Sequence, residues 1–415
     1  MSRISIGRGW RPMALVGVMA LSVAACGGNS SGGGGGGSDS ATLTIGASLP
    51  LTGDFSEPGK AAQQGYQVWA STINANGGLL GKQVKLDIKD DASNQNTIVS
   101  DYNALISKDS VDLLLGTFSS LLNLPASSVA EKNRMLYVEP AGGSPDMFSR
   151  GYKYLFFAQQ ATADKQGLVF AHWLASLPAS ERPKTAAYPT LDDPFAAPNV
   201  DGVRAVLEAA GIKTVYKTTY AIDTKNFDSI VAAMKNANPD VVVHGATFED
   251  GVGLTRGMLK AGFTPKFFYE TSTPSFADQY VKAVGAGNTE GVMYAVSYSP
   301  EADTPGNKAF VAEYKKKFGT DIPPEDAADA YAAAQVMQAA VEAVGSIDDQ
   351  AKLADWLRAH KVDTILGPLS WNDDGSPQGQ FLIGQWIKGT AEIVLPPNVA
   401  TAKPEIGWHP TGSGS

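Results

Sequence analysis

From Leu43 onward, short runs with strand-like alternation take turns with stretches whose apolar residues recur at helical spacing. Leu43, Ile45, Ala47 and Leu49 alternate with period two, as on a half-buried strand. Ala62, Tyr66, Trp69 and Ile73 then share one helical face, and Gly77-Gly78 stops that helix. Val84, Leu86 and Ile88 read as the next strand, Ile98, Tyr102 and Leu105 as the next helix, and 111–115 as a buried strand. The unit repeats, with strands predicted at 135–138, 185–188, 241–243, 266–269 and 291–298 and helices at 163–177, 199–210, 227–236 and 253–261. Such βα alternation specifies parallel sheets covered by helices on both faces. Beyond the N-terminal region about 370 residues remain, more than one core ordinarily serves, so the expected α/β architecture is two doubly wound parallel-sheet lobes. In open parallel sheets, ligands sit beyond the carboxyl ends of the strands, so function is sought in the loops that follow them.

The first residues place Arg3, Arg8 and Arg11 ahead of an apolar run, 13–25, that ends on Ala24-Ala25-Cys26. A basic, then apolar, then small-residue order is that of a secretory signal peptide. The run is shorter than the ~20 residues needed to span a bilayer. Val23-Ala24-Ala25-Cys26 resembles a bacterial lipobox, which implies removal of 1–25 and lipidation of Cys26, the chain's one cysteine. Two acyl chains anchor a soluble domain where one does not. Residues 27–42 are rich in Gly and Ser, a flexible tether with an end-to-end distance of roughly 20–24 Å. The body is therefore expected to be extracytoplasmic and anchored to the membrane without crossing it.

A single cysteine excludes an internal disulfide and a cysteine-based metal site. The four histidines, His172, His244, His360 and His409, have no metal-ligand spacing among them. The formal net charge is -9 and no basic residues cluster, which argues against a nucleic-acid partner. Gly251-Val-Gly-Leu-Thr-Arg-Gly257 misses dinucleotide spacing by one residue, and Glu249-Asp250 before it would repel phosphate. Leu79-Leu-Gly-Lys-Gln83 lacks the earlier Gly and the hydroxyl of a P-loop, and no Gly-x-Ser-x-Gly elbow is present. Asp192-Asp193 and Asp373-Asp374 read as turns. An enzyme is therefore not expected, and neither is a cofactor or a metal. A surface ligand-sensing module and a secreted hydrolase stand as the other readings.

Several loop motifs, in order, carry a family resemblance: Ile45-Gly-Ala-Ser-Leu-Pro-Leu-Thr-Gly53, Ile73-Asn-Ala-Asn-Gly-Gly-Leu-Leu-Gly81, Asp90-Asp91, Gly116-Thr-Phe-Ser-Ser120, Pro140-Ala-Gly-Gly-Ser-Pro145 and Gly367-Pro-Leu-Ser-Trp-Asn-Asp-Asp-Gly375. Together they resemble the type I periplasmic binding proteins of the leucine/isoleucine/valine-binding family. The resemblance implies three hinge crossings, near Ala158, Ser297 and Pro368. Lobe one would hold 43–158 and 297–368, lobe two 159–296 and 369–403, and 404–415 would be a tail. It implies a monomer that captures a small amphipathic carboxylate, either a branched-chain or other hydrophobic amino acid or an aromatic acid. An ABC permease in the membrane would then receive that molecule.

The same resemblance implies the ligand-binding residues. Ser120, with Ser119 beside it, occupies the position that holds a ligand carboxylate, which a hydroxyl and backbone N–H groups at a helix N-terminus suit; capping that helix is the competing role. Ala141, Gly142, Gly143 and Ser144 form the second loop. The family offers a backbone carbonyl to the ligand amine at the Ala141 position and usually has a Thr where this chain has Gly143. Phe55, Phe195, Phe248 and Tyr269 are expected as apolar walls, each with a core role as the alternative. Thr247 lies at the end of a predicted strand. Glu270 is close to the family's amine-binding acid but one residue early, and Glu249 is the other candidate. A one-residue slip turns a strand side chain to the opposite face.

Overall fold

The computed structural model describes residues 42–320 and 322–411. The leader, Cys26 and the tether lie outside the described residues. Five parallel strands build the first sheet: β1 (Thr42–Leu49), β2 (Gln83–Asp90), β3 (Leu113–Leu115), β4 (Tyr137–Glu139) and β5 (Leu155–Phe157), in the order β2-β1-β3-β4-β5. The second sheet uses β6 (Thr185–Leu191), β7 (Lys213–Tyr220), β8 (Val241–His244), β9 (Phe267–Glu270) and β10 (Met293–Val296). A small hairpin of β11 (Val362–Thr364) and β12 (Gly367–Leu369) comes next in the chain. The second sheet is completed by β13 (Leu382–Ile387) and β14 (Thr390–Leu395), giving the order β14-β13-β10-β9-β8-β6-β7, in which β13 alone is reversed, antiparallel to both β10 and β14. β1 is flanked by β2 and β3, and β6 by β7 and β8. Strand order reverses at those two strands, which opens a crevice at the carboxyl end of each sheet.

Each sheet has its own core. The first combines Leu43, Ile45, Tyr66 and Trp69 with Phe156, and with Phe310, Tyr331, Met337 and Leu357 from much later in the chain. The second is built from Phe170, Tyr188, Val203, Val243, Phe267 and Ile383. Helix Ser56–Ala75 lies against helix Glu325–Val344 so closely that a Cβ at Gly65 would stand 2.0 Å from the Ala327 carbonyl oxygen. The later helix is buried on nearly every side by alanines.

The chain passes between lobes after β5, after β10 and a third time before β13. The third passage comes later than the expected position near Pro368. Leu369 and Trp371 belong to the first core, Trp371 meets Phe156 edge-on at 5.8 Å, and its indole donates to the Phe157 carbonyl at 2.7 Å. Phe381 is the first residue of the second core in that segment. The expected tail also differs. Trp408 is buried in the second lobe, 4.9 Å from the Phe268 ring, with its indole N–H on the Asn288 carbonyl. Among the described residues no helix is long and apolar enough to cross a membrane.

Candidate ligand-binding cleft

The loops beyond the strand ends of both lobes face one another across a cavity of about 460 Å³, part of it open to solvent. Phe118 and Ser119 enter it from the loop after β3, Ala141 and Gly142 from the loop after β4, and Gln159 from the crossing after β5. The second lobe contributes Phe195 after β6, Thr247 after β8, and Thr271 and Ser272 after β9. Gln166, Ala295 and Phe381 close the hinge side. Glu325, Asp326 and Asp329 form the remaining wall, from the first turns of helix Glu325–Val344.

Of the residues singled out in the sequence, Ser119, Ala141, Gly142, Phe195 and Thr247 line this cavity. Ser119 has φ 69°, a conformation L-residues seldom adopt, and its hydroxyl is buried without a hydrogen-bond partner. Ser120 does something else. It starts helix Ser120–Lys132, and its hydroxyl oxygen accepts the Ser144 N–H at 3.0 Å, tying the first loop to the second. Asn123 reinforces that tie, donating to the carbonyls of Thr117 at 2.9 Å and Ala141 at 2.8 Å. Gly143 cannot carry a side chain: φ is 70° and a Cβ would stand 2.2 Å from the Phe157 ring. The threonine expected from the resemblance is therefore sterically excluded at this position.

The other expected walls sit behind the lining. Phe55 packs edge-on against Phe118 at 5.6 Å, so Phe118 presents the surface and Phe55 supports it. Phe248 packs on Phe276 at 4.7 Å, and Tyr269 stacks on Phe170 at 4.5 Å in the second core. Glu270 points away from the cavity, and Thr271, one residue on, faces it. The Glu270 carboxyl is fully buried, 2.9 Å from His244 Nδ1 and 3.3 Å from the Tyr280 hydroxyl. His244 Nε2 lies 2.7 Å from the Tyr220 hydroxyl, which donates to Asp250 at 2.5 Å. Asp250 in turn accepts the Thr247 N–H and hydroxyl at 3.0 and 2.8 Å. Burial holds the Glu270 carboxyl well above, and the His244 imidazole below, their ordinary ranges, the latter to about 3. A neutral relay fits both directions: Glu270 donates to Nδ1, Nε2–H donates to Tyr220, and Tyr220 donates to Asp250. Its end product is a fixed Thr247 on the cavity wall.

Contacts across the cleft keep the two lobes together. Ile222 packs against cores of both lobes, Gln279 donates to Glu57 at 3.2 Å, and Lys225 pairs with Asp54 at 3.3 Å. The last pair is well exposed, so it contributes little. At the hinge, Asp329 accepts from Gln159 Nε2 and the Ser297 hydroxyl, both at 2.5 Å, and Glu325 accepts the Ser297 N–H at 2.5 Å.

Buried carboxyls make stability depend on pH. Burial pushes Asp91 up to about 7 and Asp193 and Asp250 up to about 6. A carboxyl held higher in the fold than in the open chain stabilises the fold fully below its unfolded value and loses that contribution as pH rises through the folded one. His244, lowered to about 3, acts in the opposite sense, its contribution lost as pH falls from 6.5 toward 3. Three carboxyls outweigh one imidazole between pH 5 and 8. The melting temperature without ligand is expected to fall across that range; a rise would show that these groups are not buried as placed.

A family model described as periplasmic binding protein matches residues 42–391. The chain belongs to the periplasmic binding protein family. This binding protein is 27% identical over 378 residues to an amino acid binding protein of Pseudomonas aeruginosa, covering 89% of this chain and 95% of that one. Its fold is that of a leucine binding protein from Thermotoga maritima, with a TM-score of 0.75 and 20% identity over 86% of this chain and 99% of that chain. A solute binding protein of an ABC transporter from R. palustris, solved with benzoate, gives a TM-score of 0.73 and 18% identity over 90% and 99% of the two chains. As a member of that family it is a binding protein of periplasmic, extracytoplasmic type and not an enzyme.

The sequence reading missed Phe118, Gln159, Gln166, Thr271, Ser272 and Phe381 as lining residues, and the whole acidic wall of Glu325, Asp326 and Asp329. The signal for the wall was present as three acids spaced i, i+1 and i+4 at the start of an alanine-rich run. A helix buried all round lacks the polar stripe that periodicity detects.

Proposed function

We propose that this binding protein captures a small organic molecule with an apolar body in the interlobe cleft and delivers it to an ABC permease in the same membrane. The observation that carries this reading is the cavity shared by both lobes, with the buried, unpartnered Ser119 hydroxyl on its wall. Ser119, with the backbone N–H groups at the start of helix Ser120–Lys132, takes the carboxylate or other polar end of the ligand. Phe118, Phe195 and Phe381 cover its apolar part. Relatives whose names give amino acids, and a structural neighbour that holds benzoate, support an amino acid or an aromatic acid as ligand. A molecule that touches both lobes favours the closed state by its differential affinity. Lipidation at Cys26 and the 27–42 tether keep the body near its permease.

A thermal-shift screen of amino acids, aromatic acids, amides and polyols identifies the ligand class, because a ligand that binds only the native state raises its melting temperature. With the best compound, Ser119→Ala is expected to lose a hydrogen bond to a charged group, about 1.5–3 kcal/mol of affinity. Ser120→Ala is expected instead to cost about 1 kcal/mol of stability with a smaller change in affinity, since it removes the tie to Ser144. Calorimetry and melting curves of the two variants check this, and the reverse pattern would reassign the ligand contact to Ser120.

A further inference from the structure

We infer that the amino-terminal end of the first sheet is a lipid-contact surface, which seats lobe one on anionic headgroups through Lys82, Arg134, Lys153 and Leu80. It rests on the proposed lipid anchor at Cys26 and goes beyond it by assigning a face of the folded body to the membrane. The five strands of the first sheet are parallel, so their first residues share one end. Thr42, the last residue of the tether and the first of β1, pairs with Gln83 at that end. Lys82, Arg134 and Lys153 stand one to three residues ahead of β2, β4 and β5. Helices Gln95–Ser107 and Ser120–Lys132 also finish there, at Lys108 and Lys132. These cations come from four separate connections, which is why the sequence shows no basic run and the sheet gathers them. Helix dipoles account for Lys108 and Lys132. They do not account for Lys82, Arg134 and Lys153, whose side chains have no salt bridge or hydrogen bond among the described residues. The acids of this end are turned into the fold instead. Asp112 accepts the Thr44 N–H at 2.7 Å, and Glu131 accepts the Lys153 and Tyr154 N–H groups, both at 3.0 Å. A chain of net charge -9 thus projects cations where its tether begins.

Leu80 points to the same partner independently of charge. Leu79 and Lys82 exchange two backbone hydrogen bonds, at 2.9 and 3.0 Å, which leaves Leu80 and Gly81 at the tip of a tight turn with φ 52° and 74°. Asn, Asp and Gly suit such a turn, and a leucine is strained there. Leu80 is nevertheless 39% exposed and belongs to neither core cluster of its lobe. An apolar side chain held out beside a lysine fits the boundary between headgroups and acyl chains. The tether keeps Thr42 within roughly 20–24 Å of the anchor. At the local concentration this creates, a contact too weak to hold a free protein is still populated. Each cation near an anionic surface adds attraction that salt screens. Seated in this way, lobe one turns the carboxyl ends of its strands, and with them the cleft, away from the bilayer and toward incoming solute. A contact this weak also breaks readily, which leaves the body free to turn to its permease.

The test expresses the whole chain, purifies its lipidated product and places it on phosphatidylcholine vesicles, with or without phosphatidylglycerol, that carry a headgroup quencher. A fluorophore is attached through Asn96→Cys or Ser107→Cys, exposed positions at the two ends of helix Gln95–Ser107, about 16 Å apart. With phosphatidylglycerol, the label at position 107 is expected to be quenched about threefold or more over the label at 96. The difference should vanish without phosphatidylglycerol, and in about 1 M salt, where the screening length is about 3 Å. Lys82→Gln, Arg134→Gln and Lys153→Gln together should remove it. The same change at Lys184, Lys213 and Lys388, exposed on lobe two, should leave it. Leu80→Asn should shrink it without lowering the melting temperature, because asparagine suits the turn. Equal quenching of the two labels on anionic vesicles, a difference that survives loss of the three lobe-one cations, or an equal loss in the lobe-two variant overturns the inference and leaves the anchor standing. A purified product whose mass shows Cys26 unmodified overturns both.

Discussion

Gly142→Ala is expected to lower ligand affinity by about tenfold or more, with a smaller loss of stability. The backbone there has φ 113°, which glycine adopts freely and alanine only with strain of about 1–3 kcal/mol. A Cβ at this position would lie 2.5 Å from the Ser120 nitrogen and 2.7 Å from its hydroxyl. The second loop would have to lift off the start of helix Ser120–Lys132, breaking the Ser144-to-Ser120 bond and displacing both Ser119 and Gly142 from the cavity wall. Calorimetry with the ligand found in the screen, alongside a melting curve, separates the two effects. Native affinity in this variant would mean that the loop after β4 does not shape the site.

Gly65→Leu is expected to give the largest loss of stability of any change considered, about 3 kcal/mol or more, because overpacking against backbone cannot be relieved by a rotamer change. The two longest helices meet at this residue, and the nearest atom is the carbonyl oxygen of Ala327, inside the first turn of the buried helix. Pushing that turn outward also moves Asp326 and Asp329 on either side of it. The variant should therefore melt lower and bind more weakly. An unchanged melting temperature for Gly65→Leu would contradict the helix contact.

Where apolar strand residues alternate or run together and a loop follows them, the sequence was readable. Leu43, Ile45 and Leu49 alternate because β1 buries them in the first core, and 241–243 is apolar throughout because β8 is buried on both faces. An exposed edge strand and a very short one were not legible: β7, at the edge of its sheet, carries Lys213, Lys217 and five threonine or tyrosine residues, and β5 is three residues long. The site divides in the same way. Ser119, Ala141 and Gly142 follow strands that can be recognised, so their place at the cleft could be anticipated. Glu270 could not be placed, since its direction depends on a single residue of register, and the structure turns it toward His244. The acidic wall depends on a contact between segments some 260 residues apart, Gly65 against Ala327, which no local pattern encodes.

A crystal structure of the chain with its best-binding compound tests the central claim most directly. The expected result is ligand density between Ser119 and Asp326, with its apolar part against Phe118, Phe195 and Phe381. Density confined to the separate groove along Tyr294, Tyr298 and Trp386, with the interlobe space still empty, would contradict it.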